Sequence, residues 1–144
     1  MILVDTSVWV SHLRYGNSHL KQLLNNGDVM CHPFVIGELA CGNLKNRDEI
    51  LSLLYSLPTA RSAEQSEVLG FINAHRLMGR GLGWIDIHLL ISALLSDVLF
   101  WTQDNKLRLA SSEFNIGHCP VLWSVKYREH YHHMQRSRSF PTGS

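Results

Sequence analysis

The chain has 144 residues, 45% hydrophobic and 17% charged, with a formal net charge of +1 and three cysteines. That size suits one domain, and the composition supports a buried core and excludes a disordered chain. No apolar run approaches the ~20 residues of a membrane span. No basic stretch precedes an apolar N-terminal core, and Cys31, Cys41 and Cys119 have no CxxC spacing. The expectation is a cytoplasmic, reduced protein with no membrane segment. The charge is uneven. Residues 126–144 hold Lys126, Arg128, Arg136 and Arg138 against Glu129, a balance of +3, which leaves −2 for the first 125 residues. Such a balance permits a nucleic-acid ligand without demanding one.

In chain order, residues 2–5 read as a buried parallel strand. Thr6 or Ser7 is placed to cap a helix through about residue 15. Residues 18–26 form a second helix, stopped at Asn26-Gly27. Residues 28–32 form a short strand, and Pro33 opens a helix to about residue 41. Residues 48–57 form another helix. A long helix over 62–79 starts at Ser62-Ala63-Glu64-Gln65, which has the form of a capping box. A flexible glycine loop spans 79–83, an apolar helix 84–96, a strand 98–102, a short helix 105–112 and a last strand about 118–122. Strands alternating with helices predict an α/β fold, a three-layer α/β/α sandwich around a central parallel sheet of about four to five strands. The domain is expected over residues 1–125, followed by a poorly ordered basic tail over 126–144.

Four acids stand where apolar residues would be expected. Asp5 ends an apolar run, Glu38 interrupts residues 33–40, Asp86 lies within residues 84–91, and Asp104 follows residues 98–102. Buried carboxylates are costly unless something positive or rich in donors meets them. Hard oxygen ligands of this kind suit Mg²⁺ or Mn²⁺. In parallel sheets, ligands bind at the carboxyl ends of strands, where Asp5 and Asp104 fall. Each acid also has a plain structural reading. Asp5 and Asp104 can cap the helices that follow them, Glu38 can be a solvated helix residue, and Asp86 can be an acid of a helix first turn. Cys31-His32 and His118-Cys119 could pair as zinc ligands, but core cysteines at strand ends are commoner. Trp84 and Trp101 read as core residues rather than base-stacking platforms, and Arg80 as either a phosphate contact or a plain loop residue.

These residues also resemble a known family. Ile2-Leu3-Val4-Asp5-Thr6-Ser7-Val8-Trp9 resembles the opening motif of PIN domains, and Val35-Ile36-Gly37-Glu38-Leu39 the second. Gly83-Trp84-Ile85-Asp86-Ile87-His88 is similar to the third, and Leu99-Phe100-Trp101-Thr102-Gln103-Asp104-Asn105 to the fourth. The likeness runs over roughly residues 1–122 and is nearest to the VapC toxins of bacterial toxin–antitoxin pairs. Gln103 departs from it, standing where a basic or small residue is frequent. The resemblance implies a metal-dependent endoribonuclease whose Asp5, Glu38, Asp86 and Asp104 hold Mg²⁺ or Mn²⁺, with Thr6 and Thr102 supporting them. A metal-activated water would leave a 5′-phosphate and a 3′-hydroxyl. It further implies an RNA substrate, an antitoxin that inserts a basic side chain near the acids, and a homodimer. An aspartyl phosphatase is a poorer fit, because position 7, where a second Asp is wanted, is Ser7. A housekeeping RNA-processing nuclease and a degenerate PIN-like binding module are the alternatives.

Overall fold

Ile2, Leu3 and Val4 are all buried. Alternate side chains of a strand point to opposite faces, so both faces of this strand are covered. It forms β1 (Ile2–Val4) at the centre of a parallel sheet in the order β2-β1-β3, with β2 at Val29–Met30 and β3 at Leu99–Trp101. The structure is a computed structural model that describes residues 1–120. The expected tail, and residues 121–122 of the last expected strand, lie outside the described residues.

Each edge of the sheet is extended by one further parallel bridge, Cys31 to Thr59 beside β2 and Phe100 to Gly117 beside β3. Cys31 N–H donates to Pro58 O (2.8 Å), and Ala60 N–H donates to Cys31 O (2.7 Å). On the far side, Phe100 N–H donates to Ile116 O (2.8 Å), and His118 N–H to Phe100 O (2.9 Å). The expected four to five strands therefore resolve, among the described residues, into three strands and two bridged edges. The last segment joins the sheet at Gly117, just ahead of its expected start.

The helices are α1 (Thr6–Tyr15), α2 (Ser18–Asn25), α3 (Pro33–Ala40), α4 (Arg47–Ser56), α5 (Gln65–His75), α6 (Trp84–Leu95) and α7 (Asn105–Glu113). None is long and apolar enough to cross a membrane. Helix α1 departs from expectation at its start. Asp5, not Thr6 or Ser7, is the N-cap residue, and its side chain makes no capping bond. Helix α5 is shorter than the 62–79 expected. Arg61 N–H donates to Ser96 Oγ (2.8 Å) and holds the preceding segment extended against the end of α6. The capping contact moves to Glu64 N–H and Glu67 Oε1 (3.2 Å). Arg76, in the left-handed region at φ 51°, ends the helix before Gly79.

Helix α6 buries every residue from Ile87 to Ala93. It packs on β3, and Ile87 and Ile91 meet Val68 of α5. The start of α3 is tied to it by His32. His32 Nδ1 accepts from Phe34 N–H (3.0 Å), capping α3, while Nε2 meets Ser92 Oγ (3.0 Å). The ring is therefore neutral, with its proton on Nε2. Burial, then the neighbouring His88, lowers its pKa from 6.5 to about 4. A base whose folded pKa is depressed stabilises the fold above pH 6.5, and that contribution is lost as pH falls toward about 4. His32→Ala removes a cap and strands a buried hydroxyl, an expected loss of ~2–4 kcal/mol. Thermal melts should show a lower Tm at pH 7 and a shallower decline between pH 6.5 and 4 than in the parent.

Candidate active site

The carboxyl edge of the sheet collects the four acids. Asp5 follows β1 and Asp104 follows β3, while Glu38 rides on α3 and Asp86 on the first turn of α6. Only Asp5 is buried, at 6% exposure. Asp86 is half-buried, and Glu38 and Asp104 are exposed, so the expectation of four costly burials holds for Asp5 alone.

Asp5 Oδ2 accepts from Ser7 Oγ (2.7 Å) and from Thr102 Oγ1 (2.8 Å). Both hydroxyls are themselves held, since Gln103 N–H donates to Ser7 Oγ (3.0 Å) and Asp104 N–H to Thr102 Oγ1 (3.1 Å). Thr6 Oγ1 donates to Glu38 Oε1 (2.9 Å), bridging α1 and α3. Asp86 Oδ2 accepts from Gly83 N–H (2.9 Å), and Asp104 Oδ1 caps α7 through Leu107 N–H (2.9 Å). Both threonines expected to support carboxylates thus contact one. Ser7 does so as well, although its sequence suggested only a cap. The available signal was a hydroxyl two residues past a strand-end acid.

One pattern runs through all four carboxylates. Each has one oxygen fixed by a protein donor, and its second oxygen has none among the described residues. None of the four is in an ion pair among those residues. Their charges are felt across the site. Burial raises the Asp86 pKa, and the nearby charges of Asp5 and Asp104 raise it further, against the Gly83 N–H bond. No three His, Cys, Asp or Glu side chains among the described residues gather into a ligand cluster. Asp86 is coupled to Asp5 and Asp104 without a closed coordination sphere among the described residues.

The glycine loop before α6, expected to be flexible, is pinned to α7. Arg80 forms an ion pair with Glu113 (2.9 Å). The side chain of Lys106 lies over Gly81, whose φ of 76° and lack of a Cβ permit that approach. This fixes Gly83, and through it Asp86, relative to Asp104. On the other side, an open groove of about 630 Å³ adjoins Glu38, floored by Val10, Leu13, Leu39 and Ile50, with Arg14 and Lys45 beside it. Trp84, expected in the core, is 42% exposed. Trp101 is buried as expected. Of the cysteines, Cys31 is buried while Cys41 and Cys119 are exposed, all three unbridged.

A parallel α/β sheet with acids at the carboxyl ends of its central strands, and acid-bearing helices beside them, defines a class. The chain belongs to the PIN domain family, matching it over residues 2–112. It is 45% identical over 118 residues to the protein named Ribonuclease VapC32 in two strains of Mycobacterium tuberculosis, CDC 1551 / Oshkosh and ATCC 25618 / H37Rv. Those residues are 81% of this chain and 95% of each relative. Among solved structures it is similar to PAE2754 from Pyrobaculum aerophilum, with a TM-score of 0.52 and 20% identity. That likeness covers 75% of this chain and 77% of the other, and speaks to the fold alone.

Proposed function

We propose that this chain is a divalent-metal-dependent endoribonuclease acting as the toxin of a toxin–antitoxin pair. The observation that carries the reading is the set of four carboxylates, each with one oxygen anchored and one open, with Asp86 feeling the charges of Asp5 and Asp104. The ribonuclease name of its relatives adds the substrate class. Asp5, Glu38, Asp86 and Asp104 would hold Mg²⁺ or Mn²⁺. The fit is chemical, since the donors are hard oxygens and Mg²⁺ characteristically takes one or two carboxylates and keeps several waters. When bound, the ion supplies positive charge for the phosphoryl oxygens and acidifies an attacking water.

The protein's own part is orientation. Ser7 and Thr102 fix one oxygen of Asp5, so its other oxygen faces the site in a set direction. Thr6 does the same for Glu38. Thr102→Val keeps shape while removing the bond to Asp5 and leaving Asp104 N–H without its acceptor. Cleavage should fall ~10–100-fold, and stability by ~1–3 kcal/mol, measured by initial rates and by denaturant melts. Arg80, paired with Glu113, keeps further N–H donors that a substrate phosphate could accept from, and the surface ion pair costs little to break.

An antitoxin segment lying in the groove beside Glu38 would bring a basic side chain to the open carboxylates, where an Arg fork binds bidentately. A homodimer through α4 and α5, in the cytoplasm, completes the reading. The test is expression in growing cells. Growth should stop, resume when the product of the adjacent upstream reading frame is co-expressed, and continue unaffected with Asp5→Asn. If that product neither binds nor rescues, a housekeeping RNA-processing nuclease replaces the toxin. If Asp5→Asn still arrests growth, the toxicity is not catalytic.

A further inference from the structure

Two aromatic rings stand open at the same sheet edge as the acids. Trp84 is 42% exposed and Phe34 37%. Both make T-shaped contacts with the buried His88, with ring centroids 4.7 Å apart at 77° for Trp84 and 4.9 Å at 72° for Phe34. Such edge-to-face contacts hold rings in place. Phe34 is further fixed from below, because its backbone N–H caps onto His32, whose ring lies 5.1 Å from its own. The assembly joins α3 to α6 and is anchored at each end before it meets solvent.

Its position follows from the chain. Phe34 lies one helical turn before Glu38 on α3, and residues four apart share a face. Trp84 opens α6 two residues before Asp86, so the two side chains leave the same end of the helix in different directions. Helix α6 runs back into β3, so its start lies at the carboxyl edge that carries Asp5 and Asp104. The two rings therefore stand at the same carboxyl edge as the acids, on the two helices that supply Glu38 and Asp86.

We propose that Trp84 and Phe34, braced by His88, form a stacking platform for unpaired bases of the RNA strand next to the scissile phosphate. This rests on the ribonuclease reading. With the phosphate at the carboxylates, the neighbouring nucleotides must pass over one of the flanking helices, and these are the exposed aromatic rings on the helices that carry Glu38 and Asp86. Sequence-tolerant stacking on aromatic side chains is how single strands are held, and duplexes, whose bases are already stacked, cannot use it. A second protein is a poorer occupant. The other large exposed apolar residues lie on different elements or in the turn at Met78, and two partly exposed rings fall far short of the ~800 Å² per partner of a standard interface.

The test uses the full chain carrying Asp5→Asn, which should bind RNA without cutting it. A single-stranded oligoribonucleotide is titrated in while tryptophan emission is followed, and the same strand is then used annealed to its complement. The platform predicts quenching that is largely lost in Trp84→Phe, with affinity nearly kept. It predicts about tenfold weaker single-strand binding in Trp84→Ala and no change for the duplex. Trp84 is partly exposed, and a melting curve establishes that Trp84→Ala is folded. Unchanged single-strand affinity in Trp84→Ala, with quenching intact in Trp84→Phe, overturns the platform and leaves the ribonuclease reading standing. A change of oligomeric state in Trp84→Ala with RNA affinity unmoved overturns it in favour of a protein contact. If the Asp5→Asn chain binds no RNA and the parent cleaves none, the ribonuclease reading falls and the platform falls with it.

Discussion

On the proposed reading, Asp5→Asn is expected to lower RNA cleavage at least ~100-fold while leaving the fold in place, because it removes a charge that would hold the metal ion. Its geometry makes the substitution clean. The amide oxygen can occupy the place of Oδ2 and keep both hydroxyl bonds, from Ser7 and from Thr102. The amide nitrogen then takes the place of the open oxygen, the one available to a cation. Circular dichroism and melting temperature should match the parent, and initial rates on RNA should not. Full activity in this variant would mean that the reaction happens elsewhere on the chain. A variant that loses both activity and fold would mean that the charge itself holds Asp5 in place.

Asp86→Asn should abolish most cleavage as well, and should not lower stability in chelator. The Asp86 pKa is raised by burial and by the charges of Asp5 and Asp104. A carboxyl whose folded pKa exceeds its unfolded value stabilises the fold at pH below the unfolded value, and that contribution is lost as pH rises through the folded pKa. At neutral pH the ionised Asp86 is therefore a strain on the metal-free protein. The asparagine variant should melt at the same temperature or higher in excess chelator, and its Tm should fall less as pH rises through the carboxylate range. Added Mg²⁺ should stabilise the parent and do little for the variant, since a ligand stabilises only a state that binds it. Equal stabilisation of both proteins by Mg²⁺ would remove Asp86 from the ion's ligands.

Much of this was legible in the sequence. Alternation of short apolar runs with helical segments pointed to the parallel α/β order, and four acids, two at strand ends and two on helices, pointed to the candidate site. The boundaries that sequence missed were set by tertiary contacts. Ser96, 35 residues from Arg61 in the chain, accepts its N–H and shortens α5. Thr102 lies 97 residues from Asp5 and takes up the carboxylate that would otherwise cap α1. In sequence, Trp84 reads as a core residue. It opens the helix, however, and a first-turn residue has no preceding turn to cover it. The histidines show the same limit. His32 proved to be a cap and brace, and His12 Nδ1 accepts from Asn17 N–H (2.9 Å). His19 and His118 meet through their Nε2 atoms (2.8 Å) beside Trp101. These are structural placements at four positions that composition alone could have assigned to acid–base catalysis.

That distinction defines the most direct measurement, cleavage of purified RNA by the parent chain in excess chelator and again with Mg²⁺ or Mn²⁺ restored, followed by chemical mapping of the cut ends. Carboxylate-held metal chemistry predicts no cleavage in chelator, recovery with either ion, and ends bearing a 5′-phosphate and a 3′-hydroxyl. Cleavage that persists in chelator and leaves a 2′,3′-cyclic phosphate would contradict it, because such ends arise from attack by the RNA's own 2′-hydroxyl and need no metal-activated water.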